Sequence, residues 1–225
     1  MHFKLRCLNL RFWQDNANYR SHQKSEIMDI VFDIGNVIFE WNPQKLLDSL
    51  FVCKTESKEA MENIIAHDDW QMLDKGTLSL EESISRANDR CNIGVNKIRK
   101  LFEETPKSLK LIQDTVDAIM ELSGKGYSLY VLSNMHKHSF EYLSKTYDIW
   151  RHFSGIVISS HIKSIKPEPE IFEYLIGTYN LIPRNTVFLD DLKCNVDAAK
   201  KFGLNTIHVK NASKIKDELY QMIGI

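Results

Sequence analysis

The chain of 225 residues is long enough for one sizeable domain, or for a domain carrying a smaller insert. With 43% hydrophobic and 26% charged residues it has the make-up of an ordinary globular protein. A formal net charge of -1 provides no basic field for nucleic acid or an anionic membrane, and no apolar run approaches the length of a membrane span.

Residues 1–27 carry, before Ser21, Lys4, Arg6, Arg11 and Arg20 against a single acid, Asp15. They lack the apolar core of a secretory signal and read as a flexible extension, with an organelle-targeting segment as the alternative. Met28 directly precedes the first strand pattern and would make a natural start. Cys7, Cys53, Cys91 and Cys194 lie far apart, with no C-x-x-C pair, so neither a zinc knuckle nor a disulfide framework is expected. A reducing cytoplasm fits this usage.

Short apolar runs rich in branched residues predict strands at 29–34 (DIVFDI), 127–134 (YSLYVLSN), 154–160 (SGIVISS), 185–191 (NTVFLDD) and 205–209 (NTIHV). Runs apolar on both faces suit a parallel sheet. The interval 41–114 shows no strand pattern and four helical blocks: PQKLLDSLF, SKEAMENIIAH, LSLEESISRANDR and VNKIRKLFEE. Further on, DTVDAIMELSGKG places Val116, Ile119 and Met120 on one face and ends at Gly124. PEIFEYLIGTYN lines up Ile171, Phe172, Leu175, Ile176 and Tyr179, and NVDAAKKFG stops at Gly203. Strand and helix in alternation predict an α/β fold with a doubly wound sheet. Its expected core is 28–40 with 115–225, and 41–114 is a helical cap over the sheet edge.

Three strands end their apolar run in a reactive side chain: Asp33, then Ser133 and Asn134, then Asp190 and Asp191. Open α/β sheets bind ligands outside the carboxyl ends of their strands, so these residues should converge. Lys166 precedes Pro167 ahead of a helix start. Three carboxylates in one crevice repel unless a hard dication sits among them, and Mg²⁺ takes such oxygen ligands. A lysine and a serine hydroxyl added to that set suit a phosphoryl group, which a carboxylate can itself attack.

The ordered segments FDIGNVIF, VLSN, KPEPEIF and FLDDLKCNVDAAKKFG resemble the four motifs of the haloacid dehalogenase superfamily. The insert after the first motif is similar to the subfamily with a small α-helical cap on a Rossmann-like core. DIGNVI resembles the branch containing bacterial α-glucose-1-phosphate phosphatases. The resemblance implies Asp33 as nucleophile, Ser133 as phosphate ligand, and Lys166 as the lysine of the third motif. It implies Asp191 as a direct Mg²⁺ ligand, Asp190 as a ligand through water or from behind, and the Gly35 carbonyl as a further ligand. Asn134 would lie near the phosphate or shape its loop.

Phosphatases of the superfamily usually read D-x-D, the second Asp being the general acid and base; here Gly35 stands in its place. Three readings are open. The leaving group is a good one, such as a sugar 1-phosphate supplies; or the acid comes from bound water or from His67, Asp68, Asp69 or Asp74 of the cap; or the protein is a slow enzyme. The expected function is a Mg²⁺-dependent phosphatase of a small phosphorylated metabolite, a monomer or weak dimer with no nucleic-acid or membrane partner. The alternatives are a metal-free haloacid dehalogenase, disfavoured by Asp190 and Asp191, and a binding module that keeps the fold without the activity. Among lesser candidates, Asn195 either caps its helix or bonds the Asp pair. His136 and His138 read as loop surface, Trp70 as cap core, and His67 and Lys75 as residues in reach of substrate.

Overall fold

The computed structural model describes residues 29–224. The extension at 1–27, Met28 as a start and Cys7 therefore lie outside the described residues. Five parallel strands form the central sheet: β1 (Asp29–Phe32), β4 (Leu129–Ser133), β5 (Gly155–Ile158), β6 (Thr186–Asp190) and β7 (Asn205–His208). Their order is β5-β4-β1-β6-β7. The chain winds outward from β1 to one side and returns to build the other, which is the doubly wound arrangement expected.

The register is set by burial on both faces. Ile30 and Phe32 of β1 enter one core with Val131, Leu189, Ile119 and Leu122. Val31, pointing the other way, joins Leu132, Phe188, Phe172 and Leu175 in a second core. A slip of one residue would exchange these sets, so packing pins the pairing Ile30↔Leu129 and Ile30↔Val187.

Between β1 and β4 lies a two-stranded antiparallel ribbon, with five α-helices between its two strands. The ribbon pairs β2 (Phe39–Glu40) with β3 (Lys110–Leu111). The helices are α1 (Pro43–Leu50), α2 (Lys54–Ala60), α3 (Asp68–Lys75), α4 (Leu80–Arg90) and α5 (Val95–Ser108). α2 continues into a π-helical turn at Met61–Ile65. Local chemistry starts and stops these helices: Asn42 caps α1 ahead of Pro43, Ser79 and Glu82 form a capping box on α4, and Gly76 ends α3 with φ 73°. Leu47, Ile84, Ile98, Leu101 and Phe102 give this insert a hydrophobic core of its own.

The remaining helices are α6 (Gln113–Gly124), α7 (Lys137–Thr146), α8 (Ser159–Ile162), α9 (Pro169–Tyr179), α10 (Lys193–Lys201) and α11 (Ile215–Ile223). Two expectations are corrected. β3 falls inside the interval that showed no strand pattern, because two residues are too few to register as a period. Met120 is 50% exposed, and the buried face of α6 runs through Ala118, Ile119 and Leu122 instead. α6 ends at Gly124, as expected, and the chain then turns through Gly126 at φ 86°.

Candidate active site

Asp33 follows β1, Ser133 closes β4, and Asp190 closes β6. These strands are neighbours, so their carboxyl ends bring the three residues together. Lys166 arrives from the segment between α8 and α9. Asn134 holds that segment: its side-chain oxygen accepts the Lys166 backbone N–H at 2.7 Å, and its amide donates to the Lys166 carbonyl at 2.8 Å.

The Lys166 side chain is 1% exposed. Its ammonium donates to the Leu132 carbonyl at 2.9 Å and meets Asp33 Oδ1 at 2.8 Å and Asp190 Oδ2 at 2.6 Å. Three donors thus face three acceptors. Burial alone would lower its pKa, but Asp190 and Asp33 outweigh that and hold it above the ordinary lysine value. Burial pushes the Asp33 carboxyl up to about 7, against the pull of Lys166 and a hydrogen bond from Ser133. The Ile34 N–H also binds Asp33 Oδ1, at 2.7 Å.

Asp190 is fully buried and has little left to offer. Its Oδ1 accepts from the Leu192 N–H at 2.8 Å, and the Asn195 amide lies 3.0 and 3.1 Å from its two oxygens. Asn195 therefore bonds Asp190 of the Asp pair, in line with one of its two expected roles, while Leu192 stands at the cap position of α10. Asp191 is more open. Burial raises its pKa, and its Oδ2 accepts from the Asn36 amide at 3.0 Å. Asn36, to which the sequence reading assigned no role, sits at φ 54° and also accepts the Trp41 N–H at 3.0 Å. The readable signal was the residue type, since Asn tolerates the left-handed region better than most.

Asp33, Asp190 and Asp191 can each present an oxygen within 4.8 Å of the others. Such an all-oxygen set fits a hard dication and not a soft metal. Gly35 lines the same cavity. A Cβ built on Gly35 would meet nothing within 4 Å, so packing does not demand a glycine here.

The cavity, of about 620 Å³, runs from Asp33, Ser133 and Lys166 up to Trp41, Trp70 and Asp74 of the insert. Trp70 stacks on Phe102 at 5.6 Å and lies near Trp41 at 6.2 Å, so it packs the insert and also faces the cavity. His136 is not loop surface. It is 3% exposed, caps α7 and meets Trp70 edge-on, whereas His138 is exposed. Burial, aided by His138, holds the His136 ring neutral by pushing its pKa down to about 3. Lys75 pairs with Glu168 at 2.6 Å, and His67 accepts the Asp69 N–H at 3.1 Å as the cap of α3.

A parallel sheet that delivers a buried carboxylate–lysine–carboxylate chain and a further Asp into a crevice under a helical insert has the make-up of a hydrolytic enzyme. Residues 31–209 match the haloacid dehalogenase-like hydrolases, and the chain belongs to that family. It is 27% identical over 206 residues to a D-ribitol-5-phosphate phosphatase of Bacteroides thetaiotaomicron, covering 86% of this chain and 97% of the relative. It is 25% identical over 194 residues to the sesquiterpene phosphatase astK of Aspergillus oryzae, covering 86% and 95%. Among solved structures, a variant of a Bacteroides thetaiotaomicron family enzyme in complex with magnesium and inorganic phosphate superposes with TM-score 0.72 at 20% identity, over 87% of this chain and 99% of that one. The L-2-haloacid dehalogenase of Xanthobacter autotrophicus superposes with TM-score 0.63 at 14% identity, over 89% and 84%. One fold therefore serves two chemistries, and the site has to choose between them.

Proposed function

We propose that the chain is a Mg²⁺-dependent phosphatase of small phosphorylated metabolites, working through an aspartyl phosphate on Asp33. The observation that carries this reading is the set of three carboxylates around Asp33 with the Lys166 ammonium between two of them. A metal-free dehalogenase would have to run its nucleophile beside two further carboxylates, which repel it. The phosphatase activities named for the relatives support the same choice.

Asp33 and Asp191, with the Gly35 carbonyl, are the residues that would hold Mg²⁺, and Asp190 would act from behind. The ion, when bound, neutralises phosphoryl oxygens and lets a phosphate dianion approach a carboxylate. Lys166 holds Asp33 oriented, favours its charged form against burial and adds positive charge to the phosphate site, while Ser133 offers a hydroxyl to a phosphoryl oxygen. Asp33 attacks phosphorus, the ester oxygen leaves, and water then cleaves the acyl phosphate. The helical insert is the cap that shields this step from bulk water. Cys53, Cys91 and Cys194 are free thiols, which suits the cytoplasmic, monomeric or weakly dimeric enzyme expected.

The test is phosphate release from a panel of esters including p-nitrophenyl, sugar 1-, polyol and prenyl phosphates. Turnover should need Mg²⁺, vanish with EDTA and return with excess Mg²⁺, and Asp33→Asn should abolish it. Halide release from a 2-haloacid without metal, or no turnover of any ester, would overturn the proposal.

A further inference from the structure

We propose that Asp74, from the helical insert, is the proton donor and acceptor of the reaction, filling the role that Gly35 leaves without a side chain. This rests on the phosphatase reading above. Of the four titratable groups in the insert segment that could serve, Asp74 is the one that lines the cavity with Asp33, Ser133 and Lys166. His67 is committed to capping α3, Asp68 is exposed, and Asp69 is paired with Arg86 and Arg90.

The last turn of α3 is fastened to the sheet domain at successive residues. The Asp74 carbonyl accepts the Ser159 hydroxyl, whose oxygen in turn accepts the Met135 N–H at 2.9 Å. Lys75 pairs with Glu168, and Lys163 donates to the Gly76 carbonyl. A Cβ on Gly76 would lie 2.5 Å from the Ser160 carbonyl oxygen, so backbone meets backbone there. Asp74 is thus held at the crevice by main-chain contacts, and its carboxyl is free for other work.

That carboxyl accepts from the His136 backbone N–H and the Trp70 indole. Among the described residues no lysine or arginine forms an ion pair with it. Burial raises its pKa to about 7, and the Asp33 charge pushes the same way. A carboxyl whose pKa burial raises from the ordinary Asp value toward neutrality suits an acid in one step and a base in the next.

The chemistry balances with Asp74 in both roles. Asp33 Oδ forms a bond to phosphorus as the ester P–O bond breaks. The departing oxygen takes the Asp74 proton and leaves as an alcohol. Asp74, now a carboxylate, takes a proton from water as that water bonds to phosphorus. The P–O bond to Asp33 then breaks, which yields phosphate and restores protonated Asp74.

Asp74→Asn keeps the size of the side chain but cannot pass the same proton to the leaving oxygen and take one back from water. Its cost should grow as the leaving group worsens: about 10²–10⁴-fold in kcat/KM for an alkyl phosphate, and at least tenfold less than that for p-nitrophenyl phosphate. Gly35→Asp added to Asp74→Asn has open space for its side chain and should restore part of the alkyl phosphate rate. An equal loss across all leaving groups, no loss, or no recovery in the double variant would overturn the assignment while the wild-type Mg²⁺-dependent turnover leaves the phosphatase reading intact. A wild-type chain that turns over no ester overturns both.

Discussion

Lys166 shows what burial demands of a single side chain. An ammonium withdrawn from water survives only if its donors are matched, and the Leu132 carbonyl, Asp33 and Asp190 match them. The same geometry makes the lysine hard to replace. Lys166→Met leaves Asp33 and Asp190 facing each other in a dry site, and breaking such a pair costs about 3–5 kcal/mol. The expected outcome is an inactive protein whose urea midpoint falls accordingly. An unchanged midpoint would mean that the two carboxylates tolerate each other without the lysine. Asn134 belongs to the same scale. Of its two expected roles, lying near the phosphate or shaping the loop, the contacts of its amide with the Lys166 backbone fit the second.

Among the elements, α3 and α4 are joined by a buried charge. Asp69 is 7% exposed and takes Arg90 at 2.6 Å and Arg86 at 3.2 Å. Burial works to raise its pKa, but the two arginines outweigh it and hold it below the ordinary Asp value. A carboxylate depressed in the folded state stabilises fully above its unfolded pKa of about 3.9. That contribution is lost as pH falls through the lower, folded value. Asp69→Asn should therefore lower the urea midpoint at pH 7, and the gap to wild type should close as the pH is taken below about 4. A gap independent of pH would show that the hydrogen bonds matter here and the charge does not.

At the scale of the molecule, two hydrophobic cores meet along the cavity, one in the sheet layers and one in the insert. Trp41 packs against both, and α3 rests on the start of α8 through Gly76. Gly76→Ala would add a Cβ against the Ser160 carbonyl at a residue with φ 73°, a strain of at least about 1 kcal/mol. Because that turn also carries Asp74, the expected result is a several-fold fall in kcat/KM that outweighs any shift of the urea midpoint. If the midpoint falls and kcat/KM does not, the turn supports the fold without placing the acid.

The sequence by itself determined the five strands of the central sheet, their parallel class and the order of the reactive residues. Runs such as IVF and VFL are apolar on both faces, and only a covered parallel sheet accepts them. It also showed that Gly35 offers no proton, since that depends on residue type alone. It left four insert groups equal as replacements, because nothing local separates Asp69 from Asp74. The tertiary structure separates them: Arg86 and Arg90 claim one, while the other reaches the cavity unpaired. His136 changed from surface to buried for the same reason, since Trp70 comes from a distant helix to cover it. Burial and charge pairing arise from contacts between residues far apart in the chain, and those contacts set which carboxyl is neutral, which is charged and which is free to react.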